Sequence, residues 1–361
     1  MITEQQVIDA LKYVDDPDLK KDLVTLGMVK DVKVNGKNVS FTVVLTTPAC
    51  PMKDMIQKAC FNAIKHYVDK DAVIDINMTA NVKQSNSANA AGPQRIPGIK
   101  NIIAIASGKG GVGKSTITSN LAVALAQQGA KVGILDADIY GPSMPMMFDV
   151  MNEKPLMQKT EDGKSKMLPV ESYGVKILSI GFFSPPSQAI IWRGPMASKA
   201  MNQMIFDADW GELDYLLVDL PPGTGDIHMS LVGSVPLTGA IIVTTPQQVA
   251  LADARKGAAM FKHDSIKVPL LGIIENMAWF TPAELPENKY YIFGKGAAQQ
   301  LADEFHVPLL AQIPIVQSIC DAGDAGRPVV LQEGPQANAF ILAAGRMAQE
   351  LAVRNSKELV A

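Results

Sequence analysis

Residues 107–116 read S-G-K-G-G-V-G-K-S-T, and Gly108 to Ser115 satisfies G-x-x-x-x-G-K-[ST] at every position. Glycines at 108, 110, 111 and 113 let backbone N–H groups turn inward around phosphate oxygens. Lys114 then reaches the β- and γ-phosphates, and Ser115 supplies a hydroxyl to Mg²⁺. Lys109, Val112 and Thr116 complete the loop that would hold ATP. The context is the required one. An apolar run, I-I-A-I-A at 102–106, leads in, and a helical pattern from Ser115 to Gln128, closed by Gly129, leads out.

Working outward, short apolar runs recur between helical segments. They are 131–136, 175–180, 215–219, 240–245, 269–276 and 309–314. Their continuous apolar character suits strands buried on both faces, which predicts a doubly wound, mostly parallel α/β sheet. Ligands in such sheets sit beyond the strand carboxyl ends. Asp219 closes Y-L-L-V-D there, where a carboxylate reaching Mg²⁺ through water belongs. It opens D-L-P-P-G-T-G-D, 219–226, a switch-like loop. D-A-D-I-Y-G-P-S, 136–143, follows the strand 131–136. Asp138 is the candidate for orienting the attacking water, since Asp136 still belongs to the strand; turn capping is the other reading of either carboxylate.

The chain has 361 residues, 47% hydrophobic, with a formal charge of −3. That length suits two domains. The charge gives no bulk reason to bind nucleic acid or anionic membrane. No apolar run approaches the ~20 residues of a membrane-spanning helix. The N-terminus lacks the basic-then-apolar pattern of a secretory signal, so a cytoplasmic location is expected. The C-terminal segment reads as a helix with Phe340, Ile341, Met347 and Leu351 near one face. Its few basic residues favour core packing over a membrane surface.

Residues 84–98, Q-S-N-S-A-N-A-A-G-P-Q-R-I-P-G, have the composition of a flexible linker. They separate a small α+β domain, 1–83, from the nucleotide-binding domain, 99–361. In the small domain, T-E-Q-Q at 3–6 fits a capping box opening an amphipathic helix to Tyr13. Residues 29–45 read as a hairpin about Asn35-Gly36. A helix from about Pro51 to Tyr67 and a strand at 73–80 follow. Three cysteines are too few and too scattered for a disulfide framework. Cys50, just ahead of Pro51 at an expected helix start, is a candidate thiolate, either metal ligand or nucleophile, in the positive field there. The alternative is a small buried hydrophobe. Cys60 reads as core, and Cys320 as packing.

The extra lysine of K-G-G-V-G-K-S-T, with D-x-D and D-x-P-P-G-T-G-D, resembles the deviant Walker A ATPases, the group of MinD and ParA. That resemblance implies a nucleotide-sandwiched homodimer in which Lys109 reaches the partner subunit's phosphates. Spacing alone does not exclude a solvated loop lysine at 109. The resemblance also makes Lys109, Lys114 and Asp138 the catalytic set. W-R-G-P-M at 192–196 and E-N-M at 275–277 are similar to the Mrp/ApbC branch of iron–sulfur cluster carriers, and imply that Asn276 reads adenine; as a residue alone, it also suits a strand-end turn. D-P-D at 16–18, V-T-L-G-M-V-K-D-V and T-T-P-A-C-P look like the SufT-type domain found ahead of such ATPases.

This family resemblance implies a [4Fe–4S] cluster, iron–sulfur assembly scaffolds or apo client proteins as partners, and neither nucleic acid nor membrane. One departure stands out. The branch carries a Cys-x-x-Cys shortly after Asn-Met, and here those positions are Pro282 and Leu285. Neither ligates iron, and four thiolates are the usual ligand set. Cys50 is then the remaining candidate ligand for a cluster. The alternative function is a MinD/ParA-like ATPase switch acting on protein partners with no cluster of its own.

Overall fold

The computed structural model describes residues 1–84, 95–159, 163, 165–183, 194–225, 232–282, 284–285 and 287–358. Most of the expected linker, together with Trp192, Arg193, Asp226 and His228, lies outside them. Contacts group the chain into two units: Met1–Lys83 with Ala348–Ala361, and Gln84–Met347. No sequence feature announced that the last residues group with the first.

In the small unit, Thr3 caps helix α1 (Glu4–Leu11). Its hydroxyl accepts the Gln6 N–H, and the Gln6 side chain accepts the Thr3 N–H, a complete capping box. Two short strands, β1 (Asp15–Asp16) and β2 (Lys21–Asp22), pair across a tight loop. Strands β3 (Val29–Asn35) and β4 (Asn38–Leu45) form the expected hairpin, with Gly36 at φ 63° in its turn. The register slips between Lys30 and Lys33, where Asp31 takes φ 52°. After helix α2 (Lys53–Tyr67), strand β5 (Val73–Ala80) pairs parallel with β4. Val39, Phe41, Val43 and Leu45 alternate inward and pack on Leu11, Ile56, Cys60 and Ile64. Each such buried aliphatic contributes about 1.5–3 kcal/mol. Cys60 is core, as expected, and burial pushes its thiol up to about 12.

In the large unit, all seven anticipated runs are strands of one sheet. They are β6 (Ile99–Ser107), β7 (Val132–Asp136), β11 (Val175–Ser179), β12 (Leu213–Asp219), β13 (Gly239–Thr244), β14 (Leu270–Glu275) and β15 (Leu309–Gln312). The order is β10-β11-β7-β12-β6-β13-β14-β15, parallel except for β10 (Val170–Ser172) at one edge. β10 and the hairpin of β8 (Leu156–Lys159) with β9 (Ser165–Leu168) were not visible in the sequence. Their residues are mostly exposed or half-buried, so ladder pairing rather than apolar patterning marks them.

Helices α3 (Lys114–Gln127), α4 (Met144–Met147), α5 (Gly194–Phe206), α6 (Gln248–Lys262), α7 (Ala297–Phe305) and α8 (Gln317–Asp324) belong to this unit. The α3 terminus is stopped by Gly129 at φ 93°, whose N–H reaches Ala126 O while Ala130 N–H reaches Leu125 O. The last helix, α9 (Pro335–Glu358), buries Phe340, Met347 and Leu351, so the expected packing face is real; Ile341 is half-buried. Among the described residues, no helix is long and apolar enough to cross a membrane.

Candidate functional site

Register places the chemistry. Asp219 at the end of β12 pairs with Asp136 of β7 on one side and Ile105 of β6 on the other. Two buried carboxylates therefore lie side by side at the carboxyl edge of the sheet, next to the strand that runs into Ser107.

The glycine-rich loop connects that strand to α3. Gly111 and Gly113 sit at φ 78° and 81°, a region that costs an L-residue roughly 1–2 kcal/mol. Gly113 is also crowded: a Cβ there would lie 2.2 Å from Asn276 Nδ2. At Gly108 a Cβ would come 2.1 Å from the backbone carbon of Asp253 in α6, so only a bare Cα fits. A Cβ at Gly110 would meet nothing nearer than 3.9 Å.

Lys114 opens α3 and is 6% exposed. Its ammonium lies 2.7 Å from Asp219 Oδ2 and 3.7 Å from Asp138 Oδ2. Ser115 donates to Asp219 Oδ2 at 2.6 Å, and Thr118, one turn on, donates to Oδ1 at 2.7 Å. Asp219 is thus fully buried yet satisfied at both oxygens. These hard oxygen donors at the foot of a phosphate loop fit Mg²⁺. The residues predicted from the motif, Lys114, Ser115, Asp138 and Asp219, do converge. Thr118 was missed; its place one turn after Lys114 on the same face was the available signal.

Asp136 takes the capping role that the sequence left open for either carboxylate. It is fully buried, and its carboxylate accepts N–H groups of Asp138 (3.2 Å), Ser143 (3.1 Å) and Met144 (3.1 Å) and the Ser179 hydroxyl (2.8 Å). It pins the loop that carries Asp138 to the ends of β7 and β11. Burial, then the neighbouring Asp219, pushes its pKa up. Burial also raises Asp138, opposed by the Lys114 charge.

Asn276 follows β14 and is nearly buried. Its amide donates to Val112 O at 2.9 Å, tying it to the phosphate loop. The preceding Glu275 accepts the Ala298 N–H at the start of α7 and the Gln312 amide. Lys109 is half-exposed and makes no ion pair among the described residues; Ser107 donates to its carbonyl. Thr116 is half-buried, and its carbonyl accepts from Ser119 and Asn120.

Cys50 departs from the expectation of a helix-end thiolate. Helix α2 begins at Lys53, with Met52 as its cap, so Cys50 sits short of the first turn. Burial pushes its thiol up; the Met52 N–H draws it down, and Asp18 and Asp16 add to the rise. Cys320 is exposed rather than packed, its Sγ 3.8 Å from Asp324 Oδ2. Among the described residues, no three His, Cys, Asp or Glu side chains gather as a metal site. Leu285 is exposed and Pro282 half-buried.

With this geometry in place, comparison with known proteins is decisive. Residues 98–350 match the family model described as NUBPL iron-transfer P-loop NTPase. The chain belongs to the NUBPL-type iron-transfer P-loop NTPase family. Residues 4–77 match a second model, described as iron–sulfur cluster assembly protein.

Among relatives of this NTPase is an iron–sulfur cluster carrier protein of Synechocystis sp. It is 46% identical over 344 residues, covering 95% of this chain and 96% of that one. An iron–sulfur cluster carrier protein of Deinococcus radiodurans is 41% identical over 355 residues, covering 98% and 97%. A solved nucleotide-binding protein of Archaeoglobus fulgidus, in complex with ADP, shares the fold with TM-score 0.56 and 38% identity. The match covers 65% of this chain and 90% of that one. The chain is therefore a nucleotide-binding P-loop NTPase of mostly parallel α/β architecture.

Proposed function

We propose that this NTPase is an ATP-binding and ATP-hydrolysing iron–sulfur cluster carrier or assembly factor, working as a nucleotide-sandwiched homodimer. The observation that carries the nucleotide half is the convergence of Lys114, Ser115, Asp138 and Asp219 on one phosphate loop. The cargo half is supported by the curated relatives, which are named as cluster carriers along nearly the whole chain.

In the proposed cycle, backbone N–H groups of 108–113 hold the phosphates, Lys114 neutralises the β- and γ-oxygens, and Asn276 contacts the base. Ser115 and, through water, Asp219 would hold Mg²⁺, which would supply charge neutralisation at the γ-phosphate. Asp138, held in place by the Asp136 hydrogen bonds, orients the attacking water. That water's oxygen bonds to the γ-phosphorus as the bond to the β,γ-bridging oxygen breaks. ADP departs with the electron pair, and the water's proton passes to solvent and phosphate. Lys109 of each subunit stabilises the partner's transferring phosphate, the trans-acting cation of this chemistry. Binding closes the dimer, and hydrolysis reopens it.

The cluster is cargo whose partners are assembly scaffolds and apo client proteins. Pro282 and Leu285 supply no thiolate, which favours a second reading: an ATPase switch acting on protein partners without a cluster of its own. Anaerobic reconstitution with iron and sulfide separates the two. A brown protein with stoichiometric iron and a visible charge-transfer band, diminished in Cys50→Ala, supports the carrier with Cys50 as ligand. A wild-type protein that takes no cluster under any thiol condition, with ATPase activity intact, supports the switch.

A further inference from the structure

Away from the nucleotide loop, and wholly within the small unit, lies a cavity of about 630 Å³. This size is ordinary for a small-molecule site. Its apolar walls include Leu26 and Val44 from the β3–β4 region and Val353 from α9.

Three cations border it: Lys21, Lys30 and Lys83. Lys21 and Lys30 make no ion pair among the described residues, whereas the exposed Lys12 and Lys37 each take an aspartate partner. One carboxylate, Asp18, also lines the cavity, and it is already engaged: it accepts from the Gln349 side chain. Lys21 and Lys30, against one hydrogen-bonded carboxylate, give the cavity a positive rim.

Ser356 lines the cavity, and its hydroxyl, turned into the protein, is buried without a hydrogen-bond partner among the described residues. A buried unpaired hydroxyl is costly, so such groups ordinarily have a partner. The loop that presents Asp18 and Lys21 is also held firmly. The nearly buried Asp16 accepts the N–H groups of Asp18 and Leu19, both at 2.9 Å, and Lys20 takes φ 52°. Lys21 and Lys30, unpaired among the described residues at the rim of an apolar-walled cavity, call for a ligand with a charged head and an apolar body.

We propose that this cavity binds a small organic anion, a carboxylate or sulfonate head on an apolar body. Lys21 and Lys30 contact the head, and Leu26, Val44 and Val353 enclose the body. The site is independent of the nucleotide reading, which can fail without affecting it.

The test uses the full chain with saturating Mg–ADP, so that the nucleotide loop is occupied. Fluorescence titration with 8-anilinonaphthalene-1-sulfonate, an aromatic sulfonate, is expected to show one saturable site per chain. Octanoate should displace the dye, while octanol and octylammonium should not. The double variant Lys21→Glu/Lys30→Glu should weaken dye binding about tenfold, and Lys33→Glu, on the same strand but outside the cavity, should leave it unchanged. Val353→Trp, which fills the cavity, should abolish binding. Circular dichroism and thermal unfolding confirm that each variant is folded. Displacement by octanol as effective as by octanoate would overturn the proposal. So would dye affinity unmoved by the charge reversals, or the absence of any saturable site.

Discussion

Two of the strand-to-helix connections in this molecule make a pair, and only one of the pair is built as an anion site. Between β6 and α3, glycines at φ 78° and 81° turn the backbone, the helix opens at Lys114 itself, and buried carboxylates on neighbouring strands meet the lysine. Between β4 and α2, Pro51 and Met52 intervene, Met52 makes no side-chain cap, and the Cys50 thiol lies half-buried near two aspartates. A helix N-terminus favours an anion only within its first turn. Burial first, then two nearby carboxylates, pushes the Cys50 thiol up where a first-turn position would have drawn it down.

The largest test of that contrast removes Lys114. Lys114→Ala leaves Asp219 buried without its cation, and we expect hydrolysis to fall by at least ~100-fold with ADP affinity largely lost. Phosphate release and calorimetry measure the two, and Cys50→Ala should alter neither. A Lys114→Ala protein with normal turnover would break the comparison at its stronger end.

Lys109→Ala probes the other lysine of the loop. Since Lys109 pairs with no carboxylate among the described residues, nucleotide binding should persist while hydrolysis drops by roughly 10²–10³, as for loss of a trans-acting cation. Mixing this variant with an Asp138→Asn protein should restore part of the activity if the lysine acts across a dimer.

Gly113→Ala asks whether the cradle needs its glycine. An added Cβ meets Asn276 and adopts a left-handed backbone, so Mg–ADP affinity should fall about tenfold and the melting temperature by a few degrees. Gly110→Ala, with open space, should be milder.

The smallest effect is at Cys50 itself. In a Cys320→Ser background, iodoacetamide should modify Cys50 slowly at pH 7. The rate should rise only at a pH above that of free cysteine, because a raised pKa leaves less thiolate at neutrality. Rapid modification at pH 7 would restore the helix-end reading. Mass spectrometry follows the adduct.

Legibility in the sequence followed the range of each interaction. Gly108 to Ser115 could be read because phosphate dictates a residue type at each consecutive position. Asp219 could be read because it ends a continuous apolar strand. The capping box at Thr3 and the turn at Gly36 are equally local. Turn capping by Asp136 or Asp138 was left open by the sequence, and the choice of Asp136 could not be read because its Ser179 contact exists only once β7 and β11 have paired. Strand β10 and the β8–β9 hairpin escaped because they bury little. The start of α2 was misplaced by two residues because Pro51 is a good first helical residue that here ends the preceding turn instead.

The bare Cα of Gly108 has a mechanical consequence. It rests on the α6 backbone at Asp253; the next turn carries Arg255, which bonds Glu304 of α7 at 2.8 Å. The first turn of α7 is held by Glu275, and the residue after Glu275 is Asn276, which grips Val112 of the same phosphate loop. The contacts run in a ring that starts and finishes within five residues of chain. The phosphate loop is thereby buttressed at both ends, by α6 behind Gly108 and by the β14–α7 connection behind Val112.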